Sequence, residues 1–176
     1  MRLFIAIPLE EETKEKLFRI GQHLRETSIE KASFTRAENF HLTLAFLGET
    51  ERVDDLKQCM NQIQSESFLM NSGKLGSFKR QGGDICFFGV KKNTKLIELH
   101  TQLIDQLRCS GFSVERRTFQ PHFTLARKII WKHSGAVLYD EYEDGFTIDV
   151  HKISLMKSER IQGKLIYTEI YEKKLL

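Results

Sequence analysis

A chain of 176 residues with 40% apolar and 29% charged content describes a globular protein, built as one domain or as two small lobes sharing an interface. A net charge of +3 excludes a protein that coats nucleic acid, so any polyanion is bound at a local site. The three cysteines, Cys59, Cys86 and Cys109, form no CxxC pair and no metal-ligand spacing, which predicts reduced thiols and a cytoplasmic protein.

The opening "RLFIAI" predicts a strand ended by Pro8, and its apolar run is too short for a signal sequence or a membrane span. Glu10, Glu11 and Glu12 then start an acidic-ended helix whose Leu17, Ile20 and Leu24 share one face. A strand "FHLTLAFL" follows and closes at Gly48. Val53, Leu56, Met60 and Ile63 mark a second amphipathic helix, with Asp54 and Asp55 near its N-terminus. "SGKLGSFKR" and "DICFFGVKK" read as two strands joined through "QGGD". Leu96, Leu99, Leu103 and Leu107 make a third helix that stops near Gly111. Residues 129 to 144, which mix "IIWKH" with "YDEYED", read as an irregular connection. "FTIDVHKISLMKS" and "GKLIYTEIYEK" alternate as two strands of a hairpin. Mixed helices and hairpins predict an α+β fold with antiparallel pairing rather than a doubly wound parallel sheet.

One pattern occurs twice. "NFHLTLAFLGE" (39–49) and "PHFTLARK" (121–128) both read His, apolar, Thr, Leu, Ala, with the histidines 81 residues apart. Alternation along a strand puts Phe40, Leu42, Leu44 and Phe46 on an apolar face, and His41, Thr43 and Ala45 on the other. The second copy divides likewise, with Phe123 and Leu125 against His122, Thr124 and Ala126. A single HxT is common and reads as a hydrogen-bonded core histidine beside a β-favouring threonine. Two copies brought together by internal pseudo-symmetry line one cleft with two imidazoles and two hydroxyls. Histidine titrates near neutral pH, so one ring can serve as base while the other serves as acid. Flanking a phosphorus, the pair suits in-line displacement, with threonine hydroxyls holding phosphate oxygens. That chemistry requires no metal and no other cofactor.

The paired motifs resemble the HxTx signatures of the 2H phosphoesterase superfamily. "MRLFIAI", "ENFHLTLAFLGE", "GSF" (76–78), "RTFQPHFTLAR" and the terminal "ISLMKS…G…Y" are similar to its RNA 2′,3′-cyclic phosphodiesterase branch in bacteria and archaea, formerly called 2′-5′ RNA ligase. The resemblance spans residues 1–176 as a single domain. It implies a bilobal fold of two antiparallel sheets with helices packed outside, related by a pseudo-twofold around a central cleft. It also implies His41 as proton donor and His122 as proton acceptor, with Thr43 and Thr124 binding phosphate oxygens. Arg127 holds the place of an arginine the family often has five residues after its second histidine. Alternation alone points Arg127 away from His122, so it serves the phosphate only if the strand ends or twists there. The implied reaction opens 2′,3′-cyclic phosphates at RNA 3′ ends to 2′-phosphomonoesters, with reverse 2′-5′ ligation as a side activity. Two departures stand out. Phe34, in "SFTRAEN", substitutes for an upstream aromatic that is usually Trp, and "IIWKHSGAVLYDEYEDG" matches poorly.

Two other functions compete with this one. One is cyclic phosphodiester hydrolysis on small nucleotides, such as ADP-ribose 1″,2″-cyclic phosphate or 2′-5′-linked nucleotides. The other is a nucleotide-binding module without catalysis. The partners expected are RNA 3′ ends or small cyclic-phosphate nucleotides, with no membrane and no obligate protein partner, and the chain is expected to be a monomer. Of the remaining histidines, His23 and His100 read as helix flank, His133 as a substrate-edge candidate and His151 as structural. The cations Arg116, Arg117, Arg127, Lys128 and Lys132 flank the second motif and read as a solvated face beside a phosphate site. Phe34 and Phe119 are candidates for stacking a base, with core packing as the competing role.

Overall fold

Five consecutive buried residues, Leu3 to Ile7, form the middle of strand β1 (Arg2–Pro8), and a strand covered on both faces reads as a continuous apolar run. The computed structural model describes residues 1–115, 118–132 and 145–176. Its other strands are β2 (Ile29–Phe34), β3 (His41–Glu49), β4 (Phe68–Phe78), β5 (Asp84–Val90), β6 (His122–Trp131), β7 (Thr147–Val150), β8 (Lys152–Ile161) and β9 (Lys164–Lys174). They form a four-stranded sheet ordered β3-β1-β8-β9 and a five-stranded sheet ordered β2-β6-β5-β4-β7, antiparallel at every pairing. The expected α+β class with two antiparallel sheets is the observed one.

Helices α1 (Glu11–Thr27), α2 (Val53–Asn61) and α3 (Thr94–Cys109) bury the faces that periodicity assigns, Leu17, Ile20 and Leu24 on α1 and Leu96, Leu99, Leu103 and Leu107 on α3. Helix α1 starts with Glu11 and Glu12 against its dipole. Helix α3 is capped by Asn93, whose side chain accepts from the Leu96 amide at 3.0 Å, and Gly111 follows its end at φ +78°.

Two sequence expectations need correction, and one strand was not expected at all. Residues 29–34 form β2, an edge strand with charged side chains and two register shifts, and no clean alternation betrays it. The irregular connection expected from residue 129 begins later, because β6 runs through "IIW" to Trp131; residues 133–144 lie outside the described residues. "FTIDVHKISLMKS" is not one strand. Its first part, β7, pairs with β4, while its second, β8, pairs with β1 and β9 in the other sheet, and the chain changes sheets at His151.

The duplication extends into the hydrogen-bond register. Ala6, Ile7 and Pro8 on β1 pair with Thr43, Leu42 and His41, while Phe87, Phe88 and Gly89 on β5 pair with Thr124, Phe123 and His122. The offset 122 − 41 = 81 equals the offset 87 − 6 = 81, so each motif and its neighbouring strand repeat together. Both copies also carry the same bulge. Ile5 pairs with Ala45 but Ala6 with Thr43, and Cys86 pairs with Ala126 but Phe87 with Thr124. Leu44 and Leu125 are each an extra residue on the motif strand, which reverses the side-chain alternation beyond it. Ala45 and Ala126, expected beside the histidines, are therefore buried in the core. Phe46, expected in the core, is 51% exposed.

A second irregularity follows on β6, where Lys128 takes φ +55° and Gly83 of the β4–β5 turn takes φ +116°. A Cβ on Gly83 would lie 2.7 Å from the Lys128 Cα, so both the backbone conformation and the space demand glycine. Gly83→Ala should lower stability by roughly 1–3 kcal/mol, read as a fall in Tm during thermal unfolding. An unchanged Tm would mean that the turn relaxes without cost.

Candidate active site

The two motif strands place His41, Thr43, His122, Thr124 and Arg127 on one cavity of about 380 Å³ between the sheets. Each histidine is held the same way. Nδ1 of His41 lies 2.7 Å from the carbonyl oxygen of Asn39, and Nδ1 of His122 lies 2.6 Å from that of Gln120. A carbonyl oxygen only accepts, so Nδ1 carries the proton in both rings and Nε2 is the reactive nitrogen. In His41 that Nε2 accepts from the Thr43 hydroxyl at 3.0 Å. Asn39 is buried, and its side chain donates to the carbonyl of Leu165 on β9 at 3.0 Å, so the peptide that orients His41 is itself tied across the sheet.

Aromatic rings set the orientation of both imidazoles. His41 sits between Phe4, with centroids 4.8 Å apart, and Tyr167, which meets it edge-on at 5.1 Å. His122 contacts Phe78 and Phe87, each at 5.2 Å, and those two phenylalanines stack on one another at 4.3 Å. Gly76 is required beneath that stack, since a Cβ there would lie 2.4 Å from the Phe87 ring. Burial pushes the His41 imidazole down to about 4; the Asn39 hydrogen bond opposes this, and the charges of Arg127 and His122 reinforce it. The free chain therefore holds His41 neutral near pH 7.

Arg127 reaches the cavity, and neither a strand end nor a twist brings it there. The Leu125 bulge moves Ala126 into the core and turns Arg127 outward, with Nη2 3.4 Å from the Thr124 hydroxyl. Other side chains in the cavity escaped the reading of the sequence. Arg36, Arg160, Lys164 and Tyr167 line it, Arg36 donating to the Leu165 carbonyl at 2.6 Å and Arg160 to that of Gly163 at 3.1 Å. Arg36 comes from the β2–β3 connection just before the first motif, and Arg160 and Lys164 from the β8–β9 hairpin, far in sequence from both motifs. Phe34 lines the cavity too, and the Arg25 guanidinium lies 4.7 Å from its ring.

The remaining candidates divide. Lys132 is tied to the Glu26 carbonyl at 2.6 Å, Lys128 is exposed, and Arg116, Arg117 and His133 lie outside the described residues. His23 is exposed, and His151 lies 3.9 Å from the Glu10 carboxylate. His100 is not a simple helix flank. It is half-buried and stacks flat on Phe119, centroids 3.7 Å apart and planes 5° apart, on the wall of a second groove of about 250 Å³. Among the described residues no three His, Cys, Asp or Glu side chains gather as a metal site, and no helix is long and apolar enough to cross a membrane.

Comparisons with known proteins place the family and the fold. Residues 13–162 match the family model of the 2′-5′ RNA ligase superfamily. An RNA 2′,3′-cyclic phosphodiesterase of Escherichia coli is 30% identical over 96% of this chain and 93% of its own length. One of Thermotoga maritima is 29% identical over 98% of this chain and 94% of its own. One of Geobacillus stearothermophilus is 34% identical over 71% of this chain, a match that spans 41% of that longer relative. Among solved structures, Escherichia coli LigT complexed with 3′-AMP superposes with a TM-score of 0.81 and 27% identity, covering 99% of this chain and 97% of that one. A Thermus thermophilus protein at 23% identity shares the fold with the same TM-score.

The depressed proton affinity of His41 makes a stability prediction. The unfolded chain takes up this proton as pH falls below 6.5, while the fold refuses it until about 4, so stability is lost across that interval on acidification. Unfolding free energy should rise by on the order of 2 kcal/mol more between pH 4 and pH 6.5 in the wild type than in His41→Gln. Parallel curves from denaturant titrations would show that His41 titrates normally.

Proposed function

The chain belongs to the 2′-5′ RNA ligase superfamily, and on that premise we propose that it hydrolyses 2′,3′-cyclic phosphodiester ends of RNA to 2′-phosphomonoesters. The observation that carries this reading is the pair of imidazoles lining one cavity, each with Nδ1–H committed to a carbonyl so that Nε2 is the nitrogen able to exchange a proton. RNA is favoured over a free small nucleotide because Arg160, Lys164 and Arg36, the last ion-paired to Glu38 at 3.2 Å, line the same cavity as Arg127 and the histidines and offer contacts to further backbone phosphates.

The reaction is a proton relay across phosphorus. Nε2 of His122 takes a proton from water as the water oxygen attacks the phosphorus. The bond from phosphorus to O3′ breaks in line, and Nε2 of His41 protonates the departing oxygen. Thr43, Thr124 and Arg127 hold the non-bridging oxygens, whose charge grows in the transition state. His41 is neutral in the free chain, so its role as donor is taken up in the complex, where the phosphate charge raises its proton affinity. Reverse 2′-5′ ligation uses the same groups with the two roles exchanged.

The unit that acts is the whole span 1–176 as one domain, working as a monomer. Its cysteines, Cys59 and Cys86 buried and Cys109 exposed, are all free thiols, which supports placing it in the cytoplasm.

Purified protein in excess EDTA should convert 2′,3′-cyclic nucleotides and cyclic-ended oligoribonucleotides to 2′-phosphates, with the lower KM for the oligonucleotides. His41→Ala and His122→Ala should each lower kcat by roughly 10²- to 10⁴-fold while keeping the circular dichroism of the wild type. Products with 3′-phosphates would overturn the regiochemistry, inhibition by chelator the metal-free mechanism, and a fully active single variant the two-histidine relay. A wild type that binds cyclic nucleotides without turnover would make the chain a binding module.

A further inference from the structure

A bulge leaves its extra residue without a partner across the ladder, so a buried carbonyl there must be satisfied from elsewhere. In the second half of the site the main chain does this. The Thr35 amide donates to the Leu125 carbonyl at 2.9 Å, and the Thr35 hydroxyl to the neighbouring Thr124 carbonyl at 2.7 Å. In the first half a side chain does it. His100 on α3 is hydrogen-bonded to the backbone of Leu44, and the bond raises its proton affinity, so the Leu44 carbonyl accepts from the ring N–H. Burial outweighs that bond, with the charge of Arg108 acting in the same direction as burial, and holds His100 below the usual histidine range. The ring is neutral near pH 7 and acts by geometry rather than by charge.

Packing alone does not call for a histidine at this place. The offsets 96 − 13, 103 − 20 and 107 − 24 all equal 83, so the buried face of α3 repeats that of α1. The same offset sets His100 where α1 carries Leu17, a fully buried side chain. What the imidazole adds is contact with both motifs. It lies flat on Phe119, centroids 3.7 Å apart and planes 5° apart. Phe119 immediately precedes Gln120, whose carbonyl takes the Nδ1 proton of His122 at 2.6 Å. Leu44 immediately follows Thr43, whose hydroxyl meets Nε2 of His41 at 3.0 Å. One side chain outside both motifs thus touches the backbone that supports each motif histidine.

We propose that His100 is a positioning residue that ties the two halves of the site together, holding the first bulge through Leu44 and the anchoring peptide of His122 through Phe119. The proposal rests on the cyclic phosphodiesterase reading and adds to it a residue that acts only through the two histidines.

Three variants separate the contacts. His100→Leu removes both while filling the space as Leu17 does on α1, His100→Gln keeps a donor for Leu44, and His100→Phe keeps a ring for Phe119. Each is read by steady-state kinetics on 2′,3′-cyclic AMP, by Tm, and by the imidazole nitrogen chemical shifts of His41 and His122. His100→Leu should lower kcat roughly 10- to 100-fold with KM changed less than about twofold, because misplaced groups cost the transition state more than the bound substrate. His122 should lose its fixed Nδ1–H tautomer in the leucine and glutamine variants and keep it in the phenylalanine variant. The glutamine and phenylalanine variants should each recover part of kcat, and they decide by the same readouts if the leucine variant does not fold. A variant lacking both contacts that keeps the kcat and nitrogen shifts of the wild type overturns the proposal, and a fall in Tm alone would make His100 a packing residue. A wild type that turns over no cyclic nucleotide fails the cyclic phosphodiesterase reading instead, and the nitrogen shifts then judge His100 by themselves.

Discussion

In each half of the site an imidazole gives its Nδ1 proton to the carbonyl two residues before it, Asn39 for His41 and Gln120 for His122. That hydrogen bond fixes the tautomer, stops the ring from turning, and leaves a single nitrogen for chemistry. The rest of the site can be derived from it. In both halves the carbonyl lies two residues ahead of the histidine that opens the strand. The next residue on the same face is then a threonine, close enough in the first motif for its hydroxyl to meet Nε2. The desolvation that the buried His41 ring incurs is offset in part by the same bond, and the ring packs against Phe4 and Tyr167.

A pleated strand offers chemistry only at every second residue, and its other face here belongs to the core. The leucine bulges relax that limit. Leu44 and Leu125 stay in the core, the alanines after them join it, and the next side chain emerges on the cleft side. Small residues at 45 and 126 follow from this, since two consecutive inward positions leave little volume for the second. The bulge thus adds a third cleft-side residue to each half without a loop, on backbone paired within the sheet.

Much of this was legible in the sequence because periodicity records burial. The three helices, the β4–β5 and β8–β9 hairpins and the four residues of the paired motifs follow from alternation, capping and repetition. What failed to show has physical reasons. A bulge changes the count by one residue without changing composition, so alternation alone places Phe46 in the core and points Arg127 away from His122, and the bulge reverses both. Strand β2 is an edge whose pairing partner, β6, lies far along the chain, and its "EKAS" carries no hydrophobic rhythm. Strands β7 and β8 are nearly continuous in sequence yet belong to different sheets, a choice made by their partners rather than by His151 between them. Arg36, Arg160 and Lys164 meet at the cavity only after folding, and an isolated cation has no local signature of its destination.

The two halves share register, bulge and anchoring bond, yet they are not chemically equivalent. His41 is enclosed by Phe4 and Tyr167, and its anchoring peptide is pinned to β9 through the buried Asn39 side chain. His122 hangs from Gln120, whose position at the mouth of a groove is exposed. Arg127 adds its charge to the cleft from one side only, and that charge acts on His41 across the gap between the sheets. A symmetric pair of imidazoles would have no reason to divide a proton unevenly. Duplication supplies two nitrogens at one cavity, and burial with the charge of Arg127 lowers the proton affinity of His41. An acid-base mechanism needs the pair, and a bound phosphate must then return a proton to His41 before it can serve as donor.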